Sequence, residues 1–146
     1  MRITSEADYA LRIVYELARA GEKTDAKTVS ERANVPVRFT LKILRKLVLG
    51  GVVSSYKGVN GGYMLSLPPE KITLLSVIEL IDGPLVISKC LDSEYCCTSV
   101  GEMKRSCVFH LIFDQINRRL SDKFRAVTLD MITDEEKSID DILALI

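Results

Sequence analysis

The chain has a single histidine, no tryptophan and only 6% aromatic residues. With one imidazole and no Asp/Glu-rich motif around it, a thiol or metal hydrolase finds little support, because an activated nucleophile needs a base held beside it. No apolar run reaches the roughly 20 residues that span a bilayer. The start, Met1-Arg2-Ile3-Thr4-Ser5-Glu6, passes straight into a charged amphipathic pattern. No signal peptide is therefore expected, and the expected location is cytoplasmic. Net charge is lacking as well, with 20 Lys and Arg against 20 Asp and Glu.

That balance is uneven along the chain. Residues 1 to 67 carry 11 basic against 6 acidic side chains, and residues 68 to 146 carry 9 against 14. A basic N-terminal part suits a polyanion, although segregation of solvated charges gives the same count. The 146 residues, 47% apolar and 27% charged, suffice for one compact domain with an appended element.

Every cysteine and the only histidine fall in one window: Cys90, Cys96, Cys97, Cys107 and His110. In a secreted chain of this size four cysteines suggest two disulfides, but among reduced thiols they read as metal ligands or redox sensors. A metal centre is the favoured reading, with a thiol switch or inert cysteines as the alternatives.

Helical signals come first along the chain. Ser5 is an N-cap candidate with an acid three positions on, Asp8. Ala10, Ile13, Val14, Leu17 and Ala18 then repeat at helical spacing up to Gly21. Thr24-Asp25 can cap a short second helix with Val29 and Ala33 inward. After a turn at Asn34-Val35-Pro36 a third helix is expected, with Pro36 in its first turn, Leu41, Leu44 and Val48 inward, and Gly50-Gly51 as its stop. Two short helices joined by a tight turn outline a helix-turn-helix, and Arg38, Lys42, Arg45 and Lys46 are the outward basic groups of the second.

Residues 52 to 56 and 63 to 67 are rich in β-formers and flank Lys57-Gly58-Val59-Asn60-Gly61-Gly62, where Asn-Gly signals a hairpin turn. A hairpin directly after a recognition helix is a wing, and its glycine-rich tip lets backbone approach a phosphate chain. Thr73 can cap a fourth helix with Leu74, Val77, Ile78 and Ile81 inward, stopping at Gly83-Pro84. Beyond the cysteines, Val108, Leu111, Ile112, Gln115, Ile116, Leu120 and Phe124 recur over almost five turns. So long a stripe outlasts what a small core can cover. It predicts a homodimer through residues 108 to 124, the plain alternative being a lid over the winged helix. The expected fold class is mainly α with a small β-hairpin wing: a winged helix-turn-helix at 1–67, then a cluster-binding loop and dimerisation helix at 68–146.

Met1-Arg2-Ile3-Thr4 with Asp8-Tyr9-Ala10-Leu11-Arg12, Gly51-Val52-Val53-Ser54-Ser55, Lys57 to Tyr63 and a cysteine loop before a long helix together resemble the IscR/NsrR family of bacterial regulators. The resemblance covers nearly the whole chain in order. It implies a cytoplasmic, homodimeric winged-helix transcriptional regulator, repressor or activator, which binds double-stranded DNA at a pseudopalindromic operator. It also implies an iron-sulfur cluster that reports iron, oxidants or nitric oxide, with 2Fe-2S expected ahead of 4Fe-4S.

The implied metal ligands are Cys90, Cys96, Cys107 and His110. Cys90 to Cys96 keeps the family spacing, and Cys107 with His110 matches its Cys-x-x-His pair. Ten residues between Cys96 and Cys107 depart from the pattern, and adjacent Cys97 is a second candidate. NsrR-type relatives use an acid at the position of Asp8, reaching from the partner subunit, as the alternative fourth ligand. The DNA-binding set is Arg38, Phe39, Lys42 and Arg45 on the helix, with Lys57, Asn60 and Gly61 on the wing. Lys57 stands where the family carries an arginine. Alternatives of other classes are a cluster-free regulator with a switchable disulfide, a zinc-bearing regulator, and an enzyme.

Overall fold

The computed structural model describes residues 2–95 and 107–146. Helix α1 spans Ser5–Ala20 and packs against most of the other elements. Its N-cap is Thr4, one residue earlier than expected. The cause is tertiary: the Thr4 hydroxyl accepts from the Ala7 N–H at 3.2 Å and donates to Asp82 Oδ1 at 2.5 Å, while the Thr4 N–H donates to Asp82 Oδ2 at 3.0 Å. Asp8 is thereby free of the capping role and pairs with Arg12 at 2.8 Å. Gly21, in the left-handed region at φ 63°, closes the helix.

Asp25 caps α2, Ala26–Ala33, and accepts from the N–H groups of Lys27 and Thr28 at 3.0 Å each. Its hydrogen bond from the Thr28 hydroxyl, with those two, holds its carboxyl below the ordinary value. Helix α3, Val37–Leu49, follows a turn closed by two hydroxyls, since Ser30 Oγ and Thr40 Oγ1 both donate to the Val35 carbonyl. Pro36 is the N-cap rather than a first-turn residue. Fixing Thr40 beneath that turn also sets the rotation of α3. Thr40, Ile43, Leu44 and Leu47 are buried, whereas Leu41 is 46% exposed and Val48 half-buried. The expected stripe of Leu41, Leu44 and Val48 thus holds at Leu44 and, packed half-buried against the core, at Val48, and fails at Leu41.

Strands β1, Val53–Tyr56, and β2, Gly62–Leu65, pair antiparallel with Ser54 opposite Met64. Thr24 adds a third rung: its N–H donates to the Tyr63 carbonyl at 3.0 Å and its carbonyl accepts from the Tyr63 N–H at 2.8 Å. The wing is therefore tied to the loop between α1 and α2. Its tip turns over 58–61, with the Gly61 N–H donating to the Gly58 carbonyl at 2.9 Å. The positive φ is at Gly58, 101°, and not at Gly61. Gly61 answers a close approach instead, because a Cβ there would stand 2.4 Å from the Tyr56 carbonyl oxygen and 2.8 Å from that of Gly58. Gly61→Ala is expected to lower the unfolding free energy by about 1–3 kcal/mol through backbone strain at the tip, measured by urea unfolding.

Thr73 caps α4, Leu74–Asp82, in a capping box with Ser76. Leu75, Val77 and Ile78 are buried, with Leu74 and Ile81 only half-buried. After the 3-10 turn Lys89–Leu91 comes α5, Val108–Ala126, then the short α6, Leu129–Thr133, and α7, Ile139–Leu143. The chain leaving α5 returns to the start of α4, where the Leu74 N–H donates to the Val127 carbonyl and the Leu129 N–H to the Ile72 carbonyl. One core consequently includes Ile13, Leu17, Ile43, Leu44, Ile72, Val77 and Leu129. No described helix is long and apolar enough to cross a membrane.

Candidate DNA interface and cysteine cluster

With its core side fixed by Thr40, Ile43, Leu44 and Leu47, α3 turns Arg38, Leu41, Lys42 and Arg45 outward. At about 100° per residue, Arg38, Arg45 and Leu49 lie within about 40° of one another at the centre of the outward face. Phe39 sits on the flank toward α1, its ring 6.1 Å from that of Tyr9, with the Arg38 guanidinium 5.9 Å from its centroid. Among the described residues Arg38 and Arg45 form no ion pair. Lys42 and Lys46 do: their ammonium groups stand 3.1 and 2.7 Å from the two carboxylate oxygens of Glu6.

On the wing, Lys57 and Asn60 are exposed, and Val59 at the tip is wholly so. Beside them, Lys23 lies 5.3 Å from the centroid of the Tyr56 ring, at the base of the same hairpin. Sequence reasoning missed both Glu6 and Lys23. Glu6 is first-turn acid in a charged segment, and only the packing of α1 on α3 brings it to the lysines.

The cysteine window is described in part. Cys96 and Cys97 lie outside the described residues. Cys90 is on the 3-10 turn that packs against α5 and Cys107 is the N-cap of α5; both are free, half-buried thiols. His110 is in the first turn of α5, and its buried Nδ1 has no hydrogen-bond partner among the described residues. The segment before Cys90 is clamped to the same helix, since Asn117 Oδ1 accepts from the Ile87 N–H at 2.9 Å and Asn117 Nδ2 donates to the Leu85 carbonyl at 2.9 Å. Among the described residues no three His, Cys, Asp or Glu side chains converge closely enough to hold a metal ion. In donor chemistry the set fits an iron-sulfur centre: two thiols with no disulfide between them, and an imidazole nitrogen left without a partner. Asp8 stays half-exposed in its pair with Arg12, on α1.

Helix α5 has no fully buried residue. Phe113, Leu120 and Phe124 are half-buried, while Val108, Phe109, Leu111, Ile112 and Ile116 are 48 to 70% exposed. The expected stripe is thus divided between a packed side and an open side, and Phe109 joins the open side without having been anticipated.

A helix-turn-helix whose second helix offers arginines to solvent, followed at once by a glycine-tipped hairpin, defines a winged-helix DNA-binding protein. The chain belongs to the Rrf2 family, described as "Iron-dependent Transcriptional regulator", whose pattern it matches over residues 3–135. It is 27% identical over 139 residues to the HTH-type transcriptional regulator IscR of Erwinia tasmaniensis, covering 93% of this chain and 81% of that one. To IscR of Aliivibrio salmonicida it is 26% identical over 145 residues, covering 97% and 83%. Among solved structures it is similar to CymR of B. subtilis, the global cysteine regulator, with a TM-score of 0.71, 24% identity and coverage of 91% and 96%. The T. potens IscR structure also superposes at a TM-score of 0.71, with 19% identity, covering 93% and 89%. The fold is that of the Rrf2 winged-helix regulators, and the protein is a DNA-binding transcriptional regulator and not an enzyme.

Proposed function

We propose that the protein is a homodimeric transcriptional regulator that carries an iron-sulfur cluster on Cys90, Cys107, His110 and one of Cys96 and Cys97, with Cys96 preferred on spacing. The observation that carries this reading is the buried Nδ1 of His110, unpartnered among the described residues, one helical turn after the free thiol of Cys107. Residues three apart on a helix share a face, as two ligands of one centre must. When bound, the cluster supplies a redox-active, exchangeable group whose potential a nitrogen ligand raises relative to an all-thiolate site. The chain's own part is mechanical. Cys90 belongs to a segment held on α5 by Asn117, and Cys107 begins α5, so binding both thiolates to one centre fixes that segment against the helix start. The open side of α5 is the proposed dimer face, so this constraint bears on the angle between the two winged helices. To act as a switch it must favour one dimer state over another, since equal binding to both shifts nothing.

For DNA, Arg38, Phe39, Lys42 and Arg45 are proposed to enter the major groove, with Lys57, Asn60 and Gly61 along the backbone or in the minor groove. A twofold dimer then reads a pseudopalindrome with its half-sites separated by whole helical turns. Lys57→Ala is expected to flatten the dependence of log K on log salt by about 0.9. An unaltered slope places Lys57 off the DNA.

The test of the cofactor is anaerobic purification followed by visible absorbance and assays of iron, acid-labile sulfide and zinc on one sample. Matched iron and sulfide in a brown protein support the proposal, and the ratio per chain separates 2Fe-2S from 4Fe-4S. A colourless protein with zinc, or with thiols that form a disulfide on oxidation, supports a metal- or thiol-based regulator of the same fold. CymR of Staphylococcus aureus, another structural neighbour, has been solved in an oxidized form, which favours retaining that second reading.

A further inference from the structure

We propose that Glu6 is a specificity-determining residue of the DNA interface: an internal competitor for DNA phosphate that holds Lys42 and Lys46 against α1. The inference rests on the reading of α3 as the DNA-contacting helix and goes beyond it. Glu6 projects from the first turn of α1, and its two carboxylate oxygens take one lysine each, at 2.7 Å from Lys46 and 3.1 Å from Lys42. Its side chain is only 26% exposed, against 38% for Lys46 and 58% for Lys42. The pairing with Lys46, and with Lys42 beside it, holds the Glu6 carboxyl below its ordinary value, which favours the carboxylate that the ion pairs require.

The helical positions show what this arrangement does. Taking Arg38 as the origin, Arg45 and Leu49 lie within about 20° of it, whereas Lys42 is rotated by about 40° and Lys46 by about 80° toward the flank of Phe39. That flank faces α1, as the contact of Phe39 with Tyr9 marks. The four outward cations of α3 therefore divide into two kinds. Among the described residues Arg38 and Arg45 have no ion pair at the centre of the face, and a planar guanidinium suits paired hydrogen bonds to base edges. Lys42 and Lys46, which as ammonium groups serve phosphate as point charges, are already neutralised in part by Glu6. Phosphate binding anywhere along a duplex must compete with this carboxylate, while base reading by the arginines need not. The consequence is weaker sequence-independent binding at little cost to recognition, and so a higher ratio of specific to non-specific affinity.

The experiment compares wild type, Glu6→Gln, Lys46→Ala and Arg45→Ala as full-length proteins. Each is titrated with a mixed-sequence duplex of about 30 base pairs over a salt series, with circular dichroism melts alongside. Glu6→Gln is expected to bind this duplex roughly 5- to 50-fold more tightly near 0.1 M salt, with a log-log slope steeper by about 1 to 2. In Lys46→Ala, where a masked charge outside the proposed contact set is removed, affinity is expected to fall by less than about twofold. Weaker binding by a folded Glu6→Gln, or an unchanged slope, overturns the proposal. So does a slope flattened by about 1 in Lys46→Ala, which would show that lysine on phosphate in the wild type. Arg45→Ala separates the two levels of inference. If it weakens binding while Glu6→Gln changes nothing, α3 is at the DNA and only the competitor fails; if Arg45→Ala has no effect, the reading of α3 itself fails.

Discussion

Cys107→Ala is expected to reduce iron and acid-labile sulfide in the anaerobically purified protein to background, and with them the dependence of operator affinity on the cluster. Even the outer hydrogen-bond partners of metal ligands cost roughly 10- to 100-fold in metal affinity when removed, so loss of a thiolate ligand must cost at least about that. The substitution is clean because the Cys107 side chain makes no capping hydrogen bond to α5. Alanine there leaves every described backbone bond in place, including that from the Leu111 N–H to the Cys107 carbonyl. An unchanged melting temperature with lost iron assigns Cys107 as a ligand. Retained iron and unchanged operator affinity would remove it from the site and leave His110 without its proposed neighbour.

The second large effect concerns the open side of α5. Ile116→Asp is expected to convert a dimer into a monomer at micromolar concentration, and to weaken operator binding accordingly. Ile116 is 48% exposed in the isolated chain, so a polar replacement disturbs little of the monomer's own packing. Across a twofold interface each substitution counts twice. Burial of a side chain of this size is worth about 1.5–3 kcal/mol, and an unpaired buried carboxylate adds a further penalty. A loss of at least about 4 kcal/mol corresponds to roughly a thousandfold weaker association. Analytical ultracentrifugation of both proteins checks this. A variant that stays dimeric moves the interface elsewhere, and a monomeric wild type makes the exposed side of α5 something other than a self-association surface.

The particular places where sequence patterning succeeded are those governed by local chemistry. Gly21, Asp25 and Thr73 stand at helix ends as anticipated, because left-handed geometry and side-chain capping depend on a few neighbouring residues. The hairpin lies within a residue or two of its expected limits, because β-formers alternate with an uninterrupted glycine-rich turn. Where a choice depended on a distant partner, patterning failed. Thr4 displaced Ser5 as the cap because Asp82, 78 residues away, anchors its hydroxyl. The α3 stripe rotated because Thr40 was drawn under the Val35 carbonyl, a polar residue in a position the hydrophobic period gave to Leu41.

The sequence by itself determined the helix-turn-helix, the wing, the long helix and the gathering of thiols and histidine before and at its start, since each is written in contiguous residues with a definite period or spacing. Only the tertiary structure decided how those parts address one another. It set which cations of α3 are free and which are held by Glu6, which half of the α5 stripe stays open, and that Asn117 binds the approach to Cys90 onto that helix. Such pairings follow from packing angles between helices far apart in the chain, and packing angles have no period to read.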